Sequence, residues 1–374
     1  MLWAMNIFPA LRAELVAAFC AGLVGAASAQ ALRAVPVVEG LDNPWAVAFL
    51  PDGRMLITEK AGYLRIAQSD GRLSAPLQGL PAVADTGQCG LLDVVLDPDF
   101  ASNQRIFFTF AEPGDGGNST AVGRARLVGQ QLQDVRTIFS QRPKMDSSHH
   151  CGSRIVFDRS GHLLVGLGDR FSGKDEAQKP ANHIGKVVRI TVDGQAPADN
   201  PFVGRAGAAP EIFSLGHRNI QGAALHPASG ELWASEHGPQ GGDEVNRVQA
   251  GRNYGWPLVS FGRNYGFGTH IGEEGPKPGF EQPLRHWSPT SVAPSGLAFV
   301  TSERYPGWKG SLLMGTLRGQ VLIRLTLEGN RVVSEQRLLE DLKQRIRDVR
   351  QGPDGWIYVL TDGAGARLLR LQPG

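Results

Sequence analysis

From residue 30 onward, short apolar, strand-forming stretches alternate with Pro/Asp/Gly turns, and the same unit recurs six times. The copies run over 43–59, 90–112, 153–169, 219–238, 295–317 and 346–363. Each reads as a hairpin closed by turn chemistry such as Asp52-Gly53, Ser160-Gly161 or Asp354-Gly355. More β-rich sequence follows, as at 62–67, 185–192 and 319–327, and can complete a four-stranded sheet. Units this short cannot bury their own faces, so they call for a radial or stacked array. Six of them predict an all-β fold, a six-bladed β-propeller, with 35–41 supplying the strand that closes the ring. An insertion at 251–291 separates the fourth and fifth copies. No amphipathic helix or linker divides the chain, and 30–374 reads as a single domain.

The first 29 residues break this pattern. Arg12 precedes an apolar run over 15–24, and Ala27-Ser28-Ala29 offers small residues for cleavage before Gln30. That is the form of a secretory signal peptide, and the run is too short to span a bilayer. A lipoprotein reading would use Cys20, but Phe19 before it is too bulky. The mature chain is therefore expected to be periplasmic or secreted, with no membrane insertion. Its 38 basic and 36 acidic residues give a net charge of +2, and removing the leader takes away one of each sign. Without a clustered basic face, no nucleic-acid partner is expected. The 48 glycines exceed the average share of about 7%. They fall in turn clusters between apolar runs, which fits many short strands rather than disorder.

Propellers gather loops from successive blades at one end of a central channel, so candidate chemistry should arrive from different repeats. His149 and His150 precede the third hairpin, and an imidazole is suited to take a proton from a hydroxyl. Taken alone, they are equally ordinary loop histidines. Arg218-Asn219 can hold carboxylates or a developing oxyanion, or can be a surface arginine beside a turn-forming asparagine. Glu236, Asp243 and Glu244, with nearby loop carbonyls, offer hard oxygens of the kind Ca²⁺ takes, though without EF-hand spacing. Arg345 and Arg347 alternate on a strand and could face one anion together. Gln88 adds a neutral amide. Cys89 and Cys151 directly follow Gln88 and His150. They either bridge neighbouring blades at the channel mouth or remain two unlinked loop residues.

In order and wording, GHRN, EHGP with DEVN, NYGWP and VAPSG resemble the pyrroloquinoline quinone (PQQ)-dependent soluble glucose and aldose sugar dehydrogenases. The resemblance runs from about Leu41 to Leu371. It implies a six-bladed propeller that oxidises aldose sugars at the anomeric carbon to lactones with PQQ and Ca²⁺ and passes electrons to an external acceptor. By motif, it implies His150 as the base, with His149 its neighbour at the cofactor. Gln88, Arg218, Asn219, Arg345 and Arg347 match residues around the quinone, Arg218 also stabilising the oxygen that gains charge. Arg318 stands where glucose-oxidising relatives have lysine. Gly238 and Pro239 match backbone carbonyls of the cofactor's Ca²⁺, and Glu244 and Tyr254 match ligands of a further calcium. Those relatives carry an aspartate immediately before the histidine. Here it is His149, which removes a carboxylate that could orient His150 and points to the broader aldose branch. A monomer or homodimer is expected. The competing classes are a calcium-dependent lactonase or phosphotriesterase, and a non-enzymatic extracellular binding propeller. Neither needs the quinone-clamping arginines.

Overall fold

A computed structural model describes residues 32–374 as six antiparallel sheets set around a central axis. The leader expected at 1–29 lies outside the described residues. Blade 1 has three strands, Pro44–Phe49, Met55–Glu59 and Tyr63–Ala67. Blades 2 to 5 have four strands each, over 91–140, 152–215, 220–287 and 294–338. Blade 6 uses three strands over 346–373, and Leu32–Asp42 pairs with Ala364–Pro373 as its outermost strand. The ring closes where the sequence predicted. The inner hairpins coincide with the six repeats. The insertion, however, lies within blade 4, because Arg285–Trp287 near its end is that blade's outer strand.

In five blades the second strand is buried at every position, as in Leu163–Leu167 and Leu232–Glu236. Each such strand is covered on both faces by the adjoining blades, which explains its continuous apolar run. Hydroxyls among these residues join one blade to the next. Thr58 donates to the Leu92 carbonyl at 2.6 Å, Thr109 to Ser153 at 2.9 Å, and Ser235 to Ser295 at 2.9 Å. Thr58 and Thr109 also accept from backbone N–H groups of their own first strands, Ala46 and Asp93. Every inner hairpin has a register shift near the start of its first strand. Such bulges re-aim side chains. Here they turn Trp45, Asp93, Gln221 and Arg347 toward the axis.

Four of the axial side chains form a closed ring of charges. Arg154 reaches Asp93 at 3.2 Å and Asp348 at 3.0 Å, and Arg350 reaches the same two at 2.8 and 2.9 Å. Arg154 also donates to the Gln221 carbonyl at 2.7 Å and lies 4.0 Å from the centre of the Trp45 ring. A Cβ on Gly296 would stand 2.3 Å from Asp348 Oδ1, so blade 5 approaches the ring only because that residue is glycine. All six blades therefore meet at these side chains. Nearby, Cys89 and Cys151 are disulfide-bonded, Cα atoms 5.8 Å apart, and link the loops that enter blades 2 and 3.

Two variants test this frame by denaturant unfolding. Arg154→Met leaves two buried carboxylates to one arginine and should cost about 3–5 kcal/mol. A loss under about 1 kcal/mol would show that the ring does not hold the axis. Cys89→Ser with Cys151→Ser opens a 62-residue separation and should cost about 4 kcal/mol. An unchanged midpoint would remove the disulfide from the account.

Candidate active site

The loops at the channel end of the inner strands hold the candidate residues. His150 has φ +52°, is 5% exposed, and donates its backbone N–H to Gln88 Oε1 at 2.9 Å. Its Nδ1 lies 2.6 Å from Asp169 Oδ1. Asp169 was not singled out from the sequence, and it supplies the carboxylate whose loss at position 149 seemed to leave His150 unoriented. Two glycines make the approach possible. A Cβ on Gly168 would stand 1.8 Å from the His150 carbonyl, and one on Gly152 would stand 2.6 Å from the Gly166 carbonyl. Trp256 Nε1 donates to Asp169 Oδ2 at 2.7 Å, fixing the carboxylate from its other side. Burial lowers the His150 pKa below the ordinary imidazole value, against the hydrogen bond it donates to Asp169, and the Arg218 charge adds to the lowering. Burial alone would raise Asp169, but the His150 hydrogen bond and the His150 and Arg218 charges hold it below the usual carboxylate range. The ring of His149 is exposed, with Nδ1 2.9 Å from Ser148 Oγ.

Arg218 lies 4% exposed, its Nη1 donating to the His237 carbonyl at 3.0 Å and the Gly238 carbonyl at 2.6 Å. Its buried Nε has no acceptor. The Gly238 oxygen read from the sequence as a metal ligand is thus engaged by a guanidinium. Pro239 borders the same small void beside Arg218 and Trp256. Asn219 is buried, and its Oδ1 accepts from Gly152 N and Gln221 Nε2, both at 3.1 Å. His237 lines the channel and bonds the Pro294 carbonyl through Nε2 at 2.8 Å. Burial first, then Arg218 and Arg347, depress it to about 3, so it is neutral.

A cavity of about 390 Å³ occupies this end of the channel, lined among others by Gln88, Trp45, Gln221, Arg345 and Arg347. The two arginines do share a side of the strand. Both bond Asp362, at 2.7 Å from Arg345 Nε and 3.1 Å from Arg347 Nε. Nothing in the local sequence around Arg345 and Arg347 points to this intervening carboxylate. Arg318 is exposed on the loop after blade 5's second strand and forms no ion pair among the described residues.

The acidic cluster divides. Asp243 accepts four hydrogen bonds, from Gly238 N, Ser291 Oγ, Val292 N and Ala293 N, so it braces the loop instead of offering a metal ligand. Glu236 and Glu244 both accept from Asn246 Nδ2, at 3.1 and 3.0 Å, and border a void of about 20 Å³. Burial and then the Glu236 charge push Glu244 above the usual carboxylate range, while the buried Asn246 Oδ1 lacks a partner. Tyr254 borders the void, but its hydroxyl bonds the Arg247 carbonyl at 2.6 Å and Gln249 N at 2.8 Å. Of the insertion's aromatics, Trp256 and Trp287 are buried and Tyr265 is exposed.

Comparison with known proteins agrees with this architecture. The chain is 47% identical over 338 residues to the aldose sugar dehydrogenase YliI of Escherichia coli (strain K12), covering 89% of this chain and 91% of that protein. It superposes on the crystal structure of the soluble aldose sugar dehydrogenase from Escherichia coli in the apo-form with TM-score 0.89 at 45% identity, over 92% of this chain and 100% of that one. The PQQ-bound form of aldose sugar dehydrogenase from Streptomyces coelicolor gives TM-score 0.75 at 30% identity, over 91% and 98%. The Glucose / Sorbosone dehydrogenase family profile matches residues 41–370, and the chain belongs to that family.

Proposed function

We propose that the protein is a PQQ- and Ca²⁺-dependent dehydrogenase that oxidises cyclic aldoses at the anomeric carbon to lactones and hands the electrons to an external acceptor, in the periplasm or outside the cell. The buried His150–Asp169 pair beside Arg218 carries this reading. Asp169 holds Nδ1, which leaves Nε2 of an unprotonated imidazole to accept the hydroxyl proton. Asp169 stays ionised and stabilises the imidazolium that results. The unpartnered Nε–H of Arg218 is a buried donor available to an oxygen that gains charge.

The donor set fits the implied groups. Arg345, Arg347 and Gln88 line the channel cavity and would hold a planar anion there, whereas Arg318, Asn219 and His149 lie outside its lining. The Gly238 and Pro239 carbonyls would hold its cation, with Gly238 O shared with Arg218. Bound there, PQQ would supply a two-electron acceptor and Ca²⁺ a Lewis acid. A second Ca²⁺ would lie at the small void that Glu236, Glu244 and Tyr254 border, with the two carboxylates as its charged ligands and Tyr254 contributing its backbone carbonyl. A hydrolase would need carboxylates converging on a channel metal. Among the described residues no group of three or more His, Cys, Asp or Glu does so. A binding propeller has no use for the dyad.

Reconstitution with PQQ and Ca²⁺ should give dye reduction with aldoses that requires both cofactors. His150→Ala should lower kcat by about 10²–10⁴-fold while PQQ affinity, followed by fluorescence titration, changes little. Near wild-type turnover would exclude His150 as base. Because the His150 pKa lies below the ordinary 6.5, kcat/KM should be flat through neutral pH and fall only on the acid side of that value. Separately, excess Ca²⁺ should raise the Tm of the PQQ-free protein, by about 2.7 kcal/mol of stability at 100-fold over Kd. Glu244→Gln should remove most of that shift. Equal shifts in both proteins would place the ion elsewhere.

A further inference from the structure

Arg154 and Arg170 are both buried arginines, but their partners differ. Arg154 meets two carboxylates, whereas Arg170 forms no ion pair among the described residues. Asp169, next to it in sequence, is already engaged by His150, Phe171 N and Trp256. Arg170 Nη2 donates to Asn118 Oδ1 at 2.5 Å and to the Ser147 carbonyl at 2.7 Å, which suffices to tie those loops together. Its Nε has no acceptor. Its Nη1 faces sulfur alone, 3.2 Å from Cys89 Sγ and nearer still to Cys151 Sγ.

A disulfide sulfur carries no charge and accepts hydrogen bonds weakly. A guanidinium aimed at it is therefore a buried cation without a counter-ion, which is costly. Burial draws the Arg170 pKa down to about 10, and the Asp169 charge only partly opposes this. The backbone adds to the cost. Arg170 and Phe171 have φ +59° and +65°, two consecutive side-chain-bearing residues in the left-handed region. The missing anion has a source already in contact with Nη1: a cysteine thiolate, which forms when the disulfide opens.

The bond sits at a sensitive place. Cys89 and Cys151 directly follow Gln88 and His150, and Gln88 Oε1 accepts from His150 N at 2.9 Å. The sulfurs are covered, with Cys89 0% and Cys151 3% exposed. Cys89, however, ends a short turn that two backbone hydrogen bonds to Thr86 close, at 2.9 and 3.2 Å. Thr86 borders a cavity of about 420 Å³ outside the channel, with Asn118, Asp146, Ser147 and Phe171, while Gly87 and Gln88 line the channel cavity. Opening this one turn uncovers Cys89 without unfolding a blade.

We propose that Cys89–Cys151 is a thiol–disulfide exchange site whose reduced state Arg170 stabilises, and that its partner is a dithiol reductant. A thiolate of the reductant attacks Cys89 Sγ, the S–S bond breaks, and Cys151 leaves as the thiolate facing Nη1. The reductant's second thiol loses its proton, attacks the mixed disulfide and closes the reductant's own disulfide. Cys89 leaves and takes up a proton. Two electrons pass to the protein, and one proton is released overall. Cys151 is the better leaving group because an adjacent cation favours its thiolate. Stabilising the reduced form makes the couple easier to reduce.

Oxidised protein is equilibrated with graded ratios of reduced and oxidised dithiothreitol, and thiols are counted by alkylation and mass. The equilibrium constant for reduction should be about tenfold larger in wild type than in Arg170→Gln, equivalent to about 30 mV. Arg170→Lys, which keeps the charge, should recover most of the difference. In reduced wild type, the pH dependence of iodoacetamide labelling is then read at each cysteine. Cys151 should titrate at least about one pH unit below the ordinary thiol value of about 8.5. Of the other titratable groups beside it, Asp169 and His150 bond each other and burial keeps His150 neutral, so the shift reports Arg170. The labelling profile needs no variant, so it decides even if Arg170→Gln fails to fold. Neither measurement uses cofactor or turnover, so both stand apart from the redox reading of the channel. An equilibrium constant unchanged in a folded Arg170→Gln, or ordinary titration of both thiols, overturns the proposal. So does reduction that occurs only together with loss of the near-ultraviolet circular dichroism.

Discussion

Arg154 and Arg350 each reach both Asp93 and Asp348, so charges from blades 2, 3 and 6 close on one another at the propeller axis. Removing four charges from water is expensive, and their mutual attraction offsets that cost only when the geometry satisfies every partner. Apolar side chains could fill the same space. They would not fix the rotation of one blade against the next, because dispersion contacts tolerate sliding where guanidiniums that bridge two carboxylates do not. The ring therefore contributes orientation more than net stability. Arg154 extends it by donating to the backbone carbonyls of Gln221 and Arg347, at 2.7 and 3.3 Å, whose side chains bond each other at 3.2 Å and line the cavity above.

What the axis fixes from below, the rim fixes from the side. The disulfide follows Gln88 and His150 by one residue each, and Gln88 holds Ser148 and His150 through its backbone N–H and its side-chain oxygen. Asn219, from blade 4, accepts from Gly152. The short segment containing His150 is thus tied to blades 2, 3 and 4 by covalent and hydrogen bonds. A side chain held in this way loses little entropy when a ligand arrives, which is where positioning would contribute to rate in the proposed role.

The hairpins were legible because five of the six inner pairs have a second strand buried at every position and a Gly-bearing turn, and both features are local. The arrival of Gln88, His149, His150, Arg218, Asn219, Gly238, Pro239, Arg318 and Arg345 at one end followed from the repeat itself, since each lies just before a first strand or just after a second. Asp169 was not legible as a partner of His150. In sequence it closes a hairpin 19 residues later, and its approach depends on two glycines whose missing side chains leave room. Asp362 was hidden for the same reason: only the fold inserts it between Arg345 and Arg347. Asp243 was read as a possible metal ligand because carboxylates look alike in sequence, whereas its four hydrogen bonds come from loops up to 50 residues away. Cys89 and Cys151 stayed open until their Cα separation was known.

His150 stands where two different electrostatic environments meet. On the channel side, Arg345 and Arg347 share a single carboxylate, Asp362, so a bound anion would add the missing negative charge. On the outer side, hydroxyls and Asp146 surround an aromatic ring with no cation present. An anionic group is drawn to the first and repelled from the second. In the role proposed for it, His150 gains from this boundary, since a proton acceptor there can reach a hydroxyl without leaving the arginine-rich side. Its burial serves the same end: a protonated imidazole would add a further cation to the arginine-rich side, and low polarity keeps it neutral until a proton is delivered.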